Sequence, residues 1–277
     1  MSNLLPRIEF LLQSLVKKQK TCPHCQLNSL STIAKKYSVI KIKQCDNCGL
    51  CFTDPIYESM LVSNLYDRFY SGNGSTTSYP SYEELKILKS NGFASSDKYF
   101  GDRIKAIKYL KPGGKLLEIG SSWGYFSYQA TQQDFEVTGV EISEPRRQFG
   151  AEYLGINIVK NIRELNGEVF DIVYTSHVLE HFTNLSTIFK DLYQVLKKDG
   201  IIIIEVPNFD YAQFGEQVLS LIGAIHPLGF SSKFFKKNLP KYGFQITGFY
   251  DSWDLFPEHK VEQSSQNVII LTAKKSG

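Results

Sequence analysis

The sequence predicts a doubly wound α/β protein with a mostly parallel sheet, preceded by a small cysteine-bearing module. Three observations carry this expectation. Residues Lys115 to Ser127, KLLEIGSSWGYFS, read as a buried strand, a glycine turn and the start of a helix. Further apolar runs alternate with helical patterns behind it. Near the N-terminus, Cys22-Pro23-His24-Cys25 and Cys45-Asp46-Asn47-Cys48 form two C-x2-C pairs separated by nineteen residues.

The elements follow in order. Lys115–Ile119 is apolar except for Glu118, as suits a central strand covered on both faces. Gly120 and Gly124 permit a tight turn and close approach by a ligand, and Phe126 opens an apolar helical face. Phe135 to Glu141 reads as the second strand. It ends in an acid about twenty residues beyond the turn, the distance at which a carboxylate reaches ribose hydroxyls. Ile156–Val159, Phe170–Tyr174 and Ile201–Val206 read as the third, fourth and fifth strands. The helix between the last two, Leu185 to Leu196, repeats Leu185, Ile188, Phe189, Leu192 and Val195 at helical spacing and is closed by Lys197-Lys198-Asp199-Gly200. Phe244–Tyr250 and Val268–Ala273 supply two last strands without a helix-length gap.

The glycine turn indicates the ligand. A dinucleotide site wants G-x-G-x-x-G, with a helix N-terminus against a pyrophosphate. Here the frame is Glu118-x-Gly120-x-Ser122-x-Gly124. An acid beside the turn repels a pyrophosphate and suits a cationic ligand with an amino group and a sulfonium. The frame resembles motif I of the class I S-adenosylmethionine (SAM) dependent methyltransferases, D/E-x-G-x-G-x-G, with Ser122 at the middle glycine. The order of strands over roughly residues 100 to 277 is similar too. The resemblance implies a Rossmann-like seven-stranded sheet, SAM as cofactor and methyl transfer as the activity. It implies Glu118 at the amino end of SAM, with the turn residues Gly120, Ser121, Ser122, Gly124, Tyr125 and Phe126 around it. Glu141 and Ile142 would meet the ribose, Asn161 and Ile162 the adenine, and Ser176 and His177 the end of the fourth strand.

Two C-x2-C knuckles can place four thiolates at the corners of a tetrahedron, and their spacing is that of a zinc ribbon. Cys22, Cys25, Cys45 and Cys48 are the expected ligands of a structural zinc ion, with Cys51 an alternative to Cys48. The other reading is two redox-active or simply buried thiol pairs. Tyr37–Ile42 alternates like a ribbon strand, and His24 is expected to point to solvent. The run CDNCGLCFTDP, continued by Tyr66-Asp67-Arg68-Phe69-Tyr70, resembles bacterial methyltransferases with an N-terminal zinc ribbon, including zinc-containing nucleotide-sugar C-methyltransferases. That resemblance implies a lid role for Tyr66 and Tyr70 over the cofactor and a sugar or nucleotide-sugar acceptor.

Acid–base candidates follow the fourth strand in His177-x-x-Glu180-His181. If a helix starts at once, His177 and His181 share one face, with Glu180 beside them. Histidine titrates near neutrality, which suits a base. The segment is similar to E-x-x-E-H of the ubiquinone-pathway O-methyltransferases, where it is associated with a divalent cation. A histidine stands first here, so no catalytic metal is expected. His226 follows the fifth strand after an apolar helical insertion, Tyr211 to Ile225, and precedes a helix over Ser231 to Leu239 that Ser231 would cap. It is the third catalytic candidate.

Composition fits this organisation. The 277 residues, 42% hydrophobic, suffice for one substantial core with an appendage. The expected divisions are an amphipathic helix over 1–20, the ribbon over 21–54, a helical lid or linker over 55–100 and the SAM domain over 101–277. No apolar run approaches membrane-spanning length, and Leu4–Val16 has the spacing of an amphipathic helix rather than a signal peptide, so a cytoplasmic protein with no membrane partner is expected. Residues 1–50 hold eight Lys/Arg against two acids, which keeps open a zinc-ribbon RNA-binding protein or ribosomal-RNA methyltransferase as the alternative. The position after the fourth strand reads Thr175-Ser176-His177-Val178 instead of the [DN]-P-P-[YF] of enzymes that methylate base amines. The expected acceptor is therefore a small molecule, and nucleic acid is not the expected partner.

Overall fold

The computed structural model describes residues 18–36, 40–56, 78–254 and 256–276. Most of the expected N-terminal helix, and the lid candidates Tyr66 and Tyr70, lie outside the described residues.

The cysteine module is an antiparallel sheet of β1 (Leu30–Lys36), β2 (Ile40–Cys45) and β3 (Cys51–Asp54). Helices α1 (Tyr82–Ser90) and α2 (Gly101–Leu110) lead into the main domain. There the chain alternates β4 (Gly114–Ile119), α3 (Tyr125–Thr131), β5 (Phe135–Val140), α4 (Glu144–Phe149), β6 (Asn157–Val159), β7 (Phe170–Ser176), α5 (Leu185–Val195) and β8 (Leu196–Pro207). A short helix α6 (Tyr211–Phe214), the two-residue strand β9 (Leu228–Gly229), helix α7 (Ser232–Asn238), β10 (Phe244–Tyr250) and β11 (Val268–Lys275) complete it. The large sheet runs β10-β11-β8-β7-β4-β5-β6. Strands β4 to β8 pair in parallel, and β11 lies antiparallel to both β8 and β10. This is the Rossmann-like seven-stranded sheet expected from the sequence, with the closing hairpin reversed.

Alternating side chains of the central strands feed two cores, because successive residues of a strand face opposite ways. Leu116, Ile172, Tyr174, Ile201 and Ile203 pack with Ile104 and Ile107 of α2 and Phe126 of α3. Leu117, Ile119, Val173, Ile202 and Ile204 pack with Phe189 and Leu192 of α5 and Phe234 of α7. Burying each large aliphatic side chain contributes about 1.5–3 kcal/mol.

The cysteine module is not a free appendage. Its knuckle cysteines and Phe52 belong to the same core as α5 and α7. Its sheet gains a fourth strand from the main domain: Cys51 pairs with Gly229 and Phe52 with Leu228. The sequence expects His24 in solvent, but it is only 6% exposed. Its Nε2 is hydrogen-bonded to Tyr242 Oη at 2.9 Å, and its ring packs against Phe189 and Phe234. Burial, with Lys241 nearby, holds its pKa down at about 4.

Three local expectations are corrected. Leu196 leaves the helix, because it pairs with Phe170 as the start of β8, and Asp199 turns at φ 60°. The insertion after β8 is helical only over α6 and a 3-10 stretch Gly215–Leu221, with Gly215 at φ 59° breaking the α-helix. His177 and His181 do not share a helix face. Strand β7 runs through Ser176, His177 takes a left-handed φ of 54°, and only Leu179–His181 forms a single 3-10 turn.

Candidate functional site

The turn after β4 takes the left-handed conformation three times, at Gly120 (φ 77°), Ser122 (φ 51°) and Gly124 (φ 85°). Ser122 occupies a position suited to glycine at a cost of about 1–2 kcal/mol. At Gly120 a Cβ would come within 2.2 Å of Val178 Cγ2, so the absence of a side chain lets the β7 loop close on the turn.

Two carboxylates flank this turn. Glu118 is 7% exposed, and Ser127 Oγ of α3 donates a hydrogen bond to it. Burial pushes its pKa up to about 8, against the pull of the Ser127 bond. Glu141, just beyond β5, accepts the Ser122 N–H at 3.0 Å on one oxygen and the Ser143 N–H at 2.8 Å on the other. Those bonds fix the carboxylate and leave lone pairs for a hydroxyl. Ser121 and Ser122 place buried Oγ atoms here with no protein partner. A nucleoside with a cationic amino-acid tail fits this donor and acceptor set. Ile142 stands 72% exposed at the rim. Asn161 caps the turn Ile162–Leu165, its Oδ1 accepting from the Arg163 N–H at 3.0 Å. Tyr125 and Phe126 pack inward against Trp123, Phe100 and Tyr174.

At the ends of β7 and β8, His177 sits between two buried carboxylates, with Nδ1 at 3.7 Å from Glu180 Oε1 and Nε2 at 3.9 Å from Glu205 Oε1. Burial lowers its pKa, but Glu180 and Glu205 outweigh that and the net shift is upward. Ser176 Oγ donates to Glu205 Oε2 at 2.8 Å, and Arg103 Nη1 of α2 donates to the same oxygen at 2.6 Å. The guanidinium lies over Phe100 and Trp253. A cavity of about 470 Å³ opens here, lined by Tyr99, Phe100, Arg103, His177, Glu205 and Trp253. A larger, open groove of about 680 Å³ runs along β10, away from the strand ends, and holds none of the candidate residues.

His181 and His226 lie on the other side of Glu180. Their rings pack edge to face, 4.6 Å apart, and His181 Nδ1 donates to Ile225 O at 2.9 Å. Ser231 caps α7 as expected, its Oγ accepting from Phe234 N–H.

Sequence reasoning missed Arg103, Glu205 and Trp253. Glu205 carried a readable signal, since it is the lone acid in the apolar run Ile201–Val206. Arg103 and Trp253 carried none, because only the fold brings α2 and the loop after β10 to one cavity.

The four knuckle sulfurs cluster within 4.8 Å of one another, with Cys22 to Cys48 and Cys25 to Cys45 each at 3.5 Å. A disulfide would need about 2.05 Å. A tetrahedron of zinc–sulfur bonds of about 2.3 Å has edges of about 3.8 Å, so the set fits zinc. Cys51 stays out of this cluster. It packs with Ile40, Ile42 and Phe209, and burial pushes its thiol up to about 12.

A parallel sheet in this order, with an acid at the first turn and another after the second strand, is that of the class I SAM-dependent methyltransferases. Residues 95–248, more than half of the chain, match the model of a methyltransferase-domain family, and the chain belongs to that family. A cyclopropane-fatty-acyl-phospholipid synthase of Escherichia coli is 32% identical over 102 residues, which are 34% of this chain and 26% of that protein. A ubiquinone biosynthesis O-methyltransferase of Rickettsia bellii is 27% identical over 126 residues, 43% of this chain and 51% of its own length. The chain thus spans about a quarter to a half of these curated relatives. Among solved structures, the Burkholderia thailandensis 1,6-didemethyltoxoflavin-N1-methyltransferase, with bound 1,6-didemethyltoxoflavin and S-adenosylhomocysteine, covers 89% of this chain and 100% of its own, at TM-score 0.54 and 18% identity. A TehB-like SAM-dependent methyltransferase of Corynebacterium glutamicum covers 70% and 97%, at TM-score 0.51 and 15% identity. These two likenesses establish the fold.

Proposed function

We propose that this protein moves the methyl group of SAM to a hydroxyl or acidic carbon of a small biosynthetic acceptor, a sugar or nucleotide-sugar, with a structural zinc ion in its ribbon. The observation that carries the reading is His177 held between Glu180 and Glu205 at the mouth of a cavity, across the strand ends from Glu118 and Glu141. SAM, when bound, supplies an electrophilic methyl group on a sulfonium.

Glu118 holds the cationic amino end, and Glu141 holds the ribose hydroxyls. The backbone of Ser176 and His177 closes over the tail, with Ile142 beside the ribose and Asn161 and Ile162 bordering the base. Displacement at a methyl group requires alignment and exclusion of water more than bond polarisation. Phe100, Trp253 and Tyr99 give the cavity an aromatic side, opposite the polar groups of Asp102, Arg103 and Asp251. An imidazole of raised pKa takes the acceptor's proton at the nitrogen facing the cavity, and the resulting imidazolium is stabilised by both carboxylates. His226 lies apart from this cavity, in the loop whose Pro227 O accepts the Thr53 N–H of the cysteine module. Cys22, Cys25, Cys45 and Cys48 would hold zinc in a closed site with no open position, which stabilises the fold without joining the chemistry. Among the described residues no helix is long and apolar enough to cross a membrane, and the reading places the enzyme in the cytoplasm.

A screen of nucleotide-sugars and RNA for SAM-dependent methyl acceptance tests the reading. Labelled sugars support it; labelled RNA with silent sugars rejects it.

A further inference from the structure

Glu180 is 1% exposed, and neither of its oxygens has a hydrogen-bond partner, the His177 Nδ1 standing off at 3.7 Å from Oε1. A buried carboxylate without compensation is costly, so such groups are paired or bind a cation. One nitrogen each of His181 and His226 and one Glu180 oxygen lie within 4.8 Å of one another. The residues converge from two segments, the 3-10 turn after β7 and the loop before β9.

From this convergence we infer that Glu180, His181 and His226 form a second metal site, specific for a borderline transition-metal dication such as Zn2+, Co2+ or Ni2+. Three features support the assignment. Donation by His181 Nδ1 to Ile225 O fixes the tautomer with its lone pair on Nε2 and orients the ring, as a backbone carbonyl does behind metal-ligating histidines. Two imidazoles and one carboxylate form a donor set that suits these ions better than Mg2+, which prefers oxygen ligands and its own waters. His226 is only partly buried, so it can rotate to bring the donor atoms to bonds of about 2.0–2.2 Å. His177, first in the H-x-x-E-H segment, is not a ligand, because its left-handed backbone aims it at the cavity of Arg103 and Glu205. The ion would be bound by one residue from each of two functional loops plus Glu180, with coordination positions left for water or an acceptor oxygen. The binding claim is independent of which acceptor is methylated and of whether His177 is the base.

The test is a cobalt titration of the full chain with zinc already in the ribbon. Zinc content, by elemental analysis, should stay at one per chain while one further Co2+ binds. Its visible bands should lack the sulfur-to-cobalt charge transfer of thiolate ligation, and Mg2+ in large excess should not displace it. Glu180→Gln and, separately, His226→Ala should each lose this second equivalent while keeping ribbon zinc. His226→Ala alters a partly exposed loop residue and so remains informative if the buried substitution disturbs folding. Uptake of no second equivalent, or a second equivalent that survives both substitutions, overturns the site.

Discussion

The two sides of the cleft at the strand ends are built differently. On the β4–β5 side, the elements come from one continuous segment, Gly114 to Val140 and the residues just after it, and each carboxylate is fixed by local bonds from Ser127, Ser122 and Ser143. On the β7–β8 side, Arg103, His177, Glu205, Trp253 and His226 come from five separate parts of the chain. That side also leans on the cysteine module. Thr53 N–H donates to Pro227 O at 2.9 Å, Lys36 Nζ donates to the carbonyls of Leu219 and Ile222, and Asn238 Nδ2 donates to Cys48 O. A site made of one local motif resists distant damage, whereas a site assembled from remote segments depends on everything that positions them.

The comparison breaks most visibly at the ribbon. Cys22→Ser with Cys45→Ser should lose zinc and cost more than about 4 kcal/mol, because a structural metal contributes folding energy directly. Melting curves and zinc analysis measure it. The contrast predicts that acceptor turnover falls further than SAM affinity, and full retention of one zinc per chain would refute the ribbon. Next in size, His177→Ala should lower kcat by about 10²–10⁴-fold, the usual worth of a general base, with the SAM dissociation constant unchanged. Steady-state kinetics and calorimetry separate the two effects.

A smaller effect sharpens the cofactor side. The Glu118 carboxyl, with a pKa pushed up to about 8 by burial, carries a proton at pH 6.5 in the ligand-free protein. A cationic amino group beside it favours the carboxylate, so SAM binding at pH 6.5 should release up to about one proton. Calorimetry in buffers of different ionisation enthalpy reads this release, and Glu118→Gln should abolish it. Smallest of all, Ser122→Gly should relieve the left-handed strain and raise stability by about 1 kcal/mol, visible as a rise of a few degrees in Tm.

These differences also explain what the sequence revealed. The parallel sheet and reversed hairpin were readable because each strand is an apolar run of the right length bounded by turn residues. Glu118 and Glu141 were readable because they stand at fixed distances from one glycine turn. The four-cysteine cluster was readable from spacing alone, and Cys51 stays out of it. The β7–β8 end was only partly readable. His177, His181 and His226 could be singled out as residue types, but a left-handed residue at the strand end separates His177 from His181, which no periodicity announces. The docking of His24 was hidden because its partners, Phe189, Phe234 and Tyr242, lie more than 160 residues away.

The central claim is that the cofactor is held by the local carboxylates while the remote histidine serves the acceptor. One set of SAM titrations by calorimetry tests it, comparing the parent protein with Glu141→Ala and His177→Ala. The account predicts at least about a tenfold loss of SAM affinity for Glu141→Ala, the worth of a hydrogen bond to a charged group, and none for His177→Ala. Unchanged affinity in Glu141→Ala, or a comparable loss in His177→Ala, would contradict it.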